Sequence, residues 1–68
     1  MKAVSGKQFC RLLNARGWVL AQINGSHHIY IKSGTVFRIS VPVHGNASLK
    51  LGLQRHIMKL AGIDESEL

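Results

Sequence analysis

Gly25-Ser26-His27-His28-Ile29-Tyr30-Ile31-Lys32 is the stretch on which the reading of the fold turns. Glycine and serine mark a tight turn. The run after them is rich in isoleucine and tyrosine, which favour a pleated strand. Upstream, Trp18-Val19-Leu20-Ala21-Gln22-Ile23 has the same character and leads into Asn24-Gly25, so the two runs form a hairpin. Downstream, Ser33-Gly34 makes a second turn, and Val36-Phe37-Arg38-Ile39-Ser40-Val41 is a third strand stopped by Pro42. The middle of the chain is therefore a three-stranded antiparallel meander.

Helices flank it. In Val4-Ser5-Gly6-Lys7-Gln8-Phe9, Ser5 and Gln8 have the spacing of a capping box, and Val4 with Phe9 that of a hydrophobic staple. The first helix should run from about Gly6 to Arg16, with Phe9, Leu12 and Leu13 inward, Lys7, Arg11 and Asn14 outward, and Gly17 closing it. After a loop over Val43–Ser48, a second helix covers roughly Leu51 to Ala61 and ends at Gly62. Its inward stripe is Leu53, Ile57, Leu60 and Ala61, with Gln54, Arg55 and Lys59 outward. The order α-β-β-β-α is that of an α+β fold with both helices on one face of the sheet. Residues 1–63 make a single domain, and 64–68 an acidic tail, a stub or frayed turn.

Alternate residues of a strand point to opposite faces. One parity puts His27, Ile29 and Ile31 together with Phe37, Ile39 and Val41 under the helices. His28, Tyr30, Lys32, Arg38 and Ser40 are then displayed on the open face.

Charge narrows the function. The 68 residues carry nine Lys and Arg against three acids, Asp64, Glu65 and Glu67, so nothing before residue 64 is negative. Such a domain attracts phosphate backbones. Cys10 is the single cysteine, so no intramolecular disulfide forms and a reducing cytoplasm is the expected compartment. No run approaches the roughly 20 apolar residues of a membrane span, and no signal-peptide core follows Met1-Lys2-Ala3-Val4.

Phosphodiesters are cut either with carboxylate-bound metal ions or by acid–base side chains alone. The first route needs clustered acids, which this chain lacks. The second suits it: a neutral imidazole, with histidine's ordinary pKa of roughly 6.5, takes the proton of a ribose 2′-hydroxyl, and a cation steadies the phosphoryl oxygens. Parity selects His28 as the base, with His27, Ser26 and Gly25 supporting the turn. Lys32, Arg38, Tyr30 and His44 are the candidate RNA contacts. The histidines and Cys10 fit no zinc spacing, Ser26 beside His27 lacks an orienting acid, and Gly6-Lys7 lacks the upstream glycines of a phosphate loop. No metal and no other cofactor is expected.

Phe9, Leu12 and Leu13 before Gly17-Trp18, the Gly25-Ser26-His27-His28-Ile29-Tyr30 turn and strand, Ile39-Ser40-Val41-Pro42 with His44, and the Leu60-Ala61-Gly62-Ile63 end together resemble the HicA toxins. The resemblance covers nearly the whole chain. It implies a fold like the double-stranded-RNA-binding domain, metal-independent cleavage of mRNA by a strand histidine at the position of His28, and a HicB-type antitoxin that covers the active site. The family often has proline or a polar cap before the last helix, where this chain has Leu51-Gly52-Leu53. The alternative from another class is a non-catalytic RNA-binding module, which would tolerate His28→Ala with only a modest loss of affinity.

Overall fold

A computed structural model describes residues 1–68. The chain forms α1 (Gly6–Ala15), β1 (Val19–Asn24), β2 (His27–Ile31), β3 (Ile39–Pro42), α2 (Leu51–Ala61) and a final 3₁₀ turn (Glu65–Glu67). The sheet is antiparallel in the order β1-β2-β3, as the alternation and turns require.

Local chemistry explains the ends. The Gln8 amide donates to Ser5 Oγ at 3.2 Å, while the Ser5 amide donates to Gln8 Oε1 at 2.9 Å. This completes the capping box, and Val4 and Phe9 are both buried beside it. Helix α2 starts at Leu51 with no side chain capping it and ends on Gly62 in the left-handed region. The hairpin loop is Gly25-Ser26, since Asn24 pairs with His27. Gly25, at φ +59°, takes the first central place, where a positive φ suits glycine.

Both helices pack on one face, over Tyr30, Ile39 and Val41. Phe9, Leu13, Ile39 and Val41 have 1% or less of their surface exposed and form the centre of the core. Trp18, just before β1, is also buried there.

Several expectations change. The third strand begins at Ile39, and Phe37, 41% exposed, lies in the preceding loop instead of the core. Gln54 does not face solvent: it is fully buried, accepting from the Val4 amide at 3.0 Å and donating to the Lys2 carbonyl at 2.7 Å. An amide that bonds both ways can cross the core where a hydrocarbon would leave the Val4 N–H unpaired. The acidic end is also more ordered than a frayed stub. Asp64 and Glu67 form a second capping box, Glu67 pairs with Arg16, and Glu65 lies 3.6 Å from the terminal ammonium.

The largest change concerns the faces of β2. Tyr30, not Ile29 or Ile31, is buried. It pairs with Ile39, and His28 pairs with Val41, so His28 and Tyr30 face the helices, while His27, Ile29 and Ile31 lie on the open side. The two isoleucines outweigh one tyrosine in a hydropathy count. The tyrosine nevertheless fills more of the core, with its hydroxyl lying towards Cys10 and Asn14 of α1.

Candidate active site

The hairpin places the two histidines at one end of the sheet, on opposite faces. His27 is exposed on the open side, and its Nδ1 lies 3.3 Å from Ser40 Oγ on β3. That contact orients the ring. If Nδ1–H donates to the serine, Nε2 is left with its lone pair and can accept a proton. His28 is half-buried on the helix side.

The turn is held by backbone. Ser26, half-buried, accepts from the Val43 amide at 2.8 Å, and Pro42 is the register partner of His27. These contacts draw the loop carrying His44, which is exposed, to the end of the sheet where His27 sits. Gly25 contributes conformation only; a side chain there would meet no atom within 4 Å.

The other candidates are not brought together with the histidines. Tyr30 is 3% exposed and cannot stack on a base. Burial, then the neighbouring Cys10 thiol, pushes its hydroxyl up to about 12. Lys32 turns to the helix side, its Nζ 5.9 Å over the Trp18 ring. Arg38 is exposed beside Val19 and Ile31, at the far end of β2 from His27, roughly 13 Å away at the strand rise of about 3.3 Å per residue. No three His, Cys, Asp or Glu side chains converge anywhere. Ser40 is the partner of the histidine that parity reading missed. It belongs to the open face in either reading; what changes is which histidine joins it.

The sequence profile of the HicA toxin family, described as "HicA toxin of bacterial toxin-antitoxin", matches residues 6–63. The chain belongs to the HicA toxin family. The match runs from the first residue of α1 to the buried Ile63, and so includes every strand and both histidines. No curated protein matches the chain. As a HicA toxin, it is the toxic component of a toxin-antitoxin system and has an antitoxin as its partner. None of its helices is long and apolar enough to cross a membrane.

Proposed function

We propose that this HicA toxin is a metal-independent endoribonuclease that cleaves mRNA in the cytoplasm with His27 as general base, and that a HicB-type antitoxin neutralises it. The observation that carries the reading is the His27 ring, exposed on the open face and held at Nδ1 by Ser40. The preference for His28 rested on its reading as the open-face histidine and on the resemblance, which sets a histidine at its position; the criterion of access, taken alone, favours His27. Nε2 takes the proton of a ribose 2′-hydroxyl, the 2′-oxygen attacks the adjacent phosphorus, and the 5′-oxygen leaves with a returned proton. The products are a 2′,3′-cyclic phosphate and a 5′-hydroxyl end. Of the candidate RNA contacts that could return that proton, Lys32 and Arg38 lie at the far end of β2, which leaves His44 as the donor. The working unit is the single domain of residues 1–63, and the antitoxin presents an acidic or polar surface to its basic partner.

The test is cleavage of a structured mRNA in excess EDTA by the wild type, His27→Ala and His28→Ala, with RNA binding followed in parallel. His27→Ala should bind and not cut, and the wild-type products should end in cyclic phosphate. Loss of cutting only in His28→Ala moves the base there. Binding without cutting by any of the three supports the non-catalytic RNA-binding module instead.

A further inference from the structure

The face that carries His27 has no cation of its own beside it. Its neighbours there are Asn24, Gln22, Ile29, Ser40 and Pro42, and Arg38 enters only at the far end. An imidazole can move a proton, but it does not hold a polyanion in place. If the substrate is RNA, as proposed above, the phosphates are gripped elsewhere.

A cleft at the start of α1, one residue on from the contact of Gly6 with His27's strand partner Pro42, meets this need. Gly6 is pressed so closely on β3 that a Cβ there would overlap the Pro42 carbonyl, and Pro42 pairs with His27. From Gly6, α1 carries Lys7 and Arg11 one turn apart, and Asn46 and Ser48 face them across the gap. With Ser5 and Gln8 they enclose about 230 Å³ with no hydrophobic residue and no carboxylate on the wall. We infer that this cleft is a subsite for a backbone phosphodiester of the RNA strand away from the one cleaved, with Lys7 and Arg11 neutralising it and Asn46 and Ser48 bonding its ester oxygens.

Four features support an RNA phosphate as the occupant. The wall offers a base nothing to stack on. The cleft, at about 230 Å³, is at the scale of a phosphate group, below the ≈ 300 Å³ at which small-molecule pockets begin. Lys7 and Arg11 have no anionic partner, because the chain's ion pairs are Arg16 with Glu67 and the amino terminus with Glu65. Two like charges at this spacing repel, and an anion between them relieves the repulsion. The walls are also built in advance: Ser48 bridges to Ser5, the Leu49 amide donates to the Val4 carbonyl at 2.8 Å, and the Ala47 amide donates to the His44 carbonyl at 3.0 Å. The capping box already occupies the Ser5 and Gln8 amides, so the grip comes from side chains. One loop thus carries His44 at its start and two walls of the cleft at its end.

The test compares Lys7→Ala, Arg11→Ala, the double variant, Arg11→Lys and the charge-matched control Lys59→Ala, using one RNA oligonucleotide with a single cleavage site. Lys7 and Arg11 are exposed, so thermal melts of the variants should match the wild type. Each alanine should raise KM roughly tenfold, the loss expected for about 1.4 kcal/mol of charge-assisted bonding, with kcat within about twofold. The salt slope of binding should fall by about 0.7 per charge removed and recover in Arg11→Lys. Inorganic phosphate should compete with RNA for the wild type and lose that competition in the double variant. An unchanged KM and salt slope in the double variant, or an equal change in Lys59→Ala, would overturn the subsite while leaving the ribonuclease reading intact. A wild type that neither binds nor cuts RNA would overturn both.

Discussion

At His27 the chemistry depends on which proton the Ser40 contact holds. With Nδ1–H donated to Ser40 Oγ, across 3.3 Å, Nε2 is the basic nitrogen. If His27 is the base, as proposed, Ser40→Ala should lower kcat several-fold at unchanged KM and Ser40→Thr should restore it, the serine then orienting the ring without touching RNA. Tyr30 gives a second prediction. Its pKa is raised to about 12 in the folded chain from an ordinary 10, first by burial and then by the Cys10 contact. The unfolded chain thus loses this proton first as pH rises. The stabilisation is complete below pH 10 and lost between about 10 and 12. Urea melts should weaken over that window, and Tyr30→Phe should flatten the decline.

Among the elements, α1 owes its seat to a missing side chain. An alanine in a helix is ordinarily worth roughly 0.5–1 kcal/mol over glycine. At Gly6 the sign reverses, since the new Cβ would overlap the Pro42 carbonyl, a backbone atom that cannot swing aside. Gly6→Ala should destabilise the fold by about 1–3 kcal/mol in a denaturant melt. It should also displace α1 from β3, raising KM for RNA through the Lys7–Arg11 cleft. Gln54 sets a comparable condition for α2: Gln54→Leu keeps the volume but leaves the Val4 amide unpaired, at a cost of about 1–3 kcal/mol. Strand β1 solves a different problem. Val19-Leu20-Ala21-Gln22-Ile23-Asn24 is an edge strand with no charge and no proline, and its pairing is interrupted by a bulge between Leu20 and Gln22. Such an irregularity discourages another strand from adding to the edge.

Across the whole molecule, charge is segregated. The acids are confined to the last five residues and are engaged there, Glu67 with Arg16 and Glu65 with the amino terminus, so the cations of the helices stay free for an external anion. The Arg16 bond holds the Glu67 carboxyl below its ordinary range, and bonds from Ser66 do the same for Asp64. A carboxyl with a lowered folded pKa stabilises above its ordinary pKa, and the effect is lost as pH falls through the lowered value. The tail should therefore loosen only in acid. Amide exchange of Ser66 to Leu68 should show the loosening at higher pH in Arg16→Gln than in the wild type.

Much of this protein is written locally. The Ser5–Gln8 cap, the Gly17, Gly25 and Gly62 turns, the three strand-favouring runs and the absence of acids before residue 64 specify the element order and the basic character, because each depends on residues a few positions apart. Which face of β2 meets the helices is a different kind of question. The stretch from His27 to Ile31 alternates acceptably in either phase. The choice falls to Tyr30, whose ring fills the space under α1 and whose hydroxyl finds Cys10 and Asn14, sixteen or more residues away. That one contact turns His27 to the open side, beside Ser40, and His28 to the helix side. Likewise, Lys7 and Arg11 face Asn46 and Ser48 only because Gly6 packs on Pro42 and Ser5 bridges to Ser48. The sequence by itself determined the elements and their charge; packing between distant residues alone decided which histidine faces the open side and which cations line the cleft on α1.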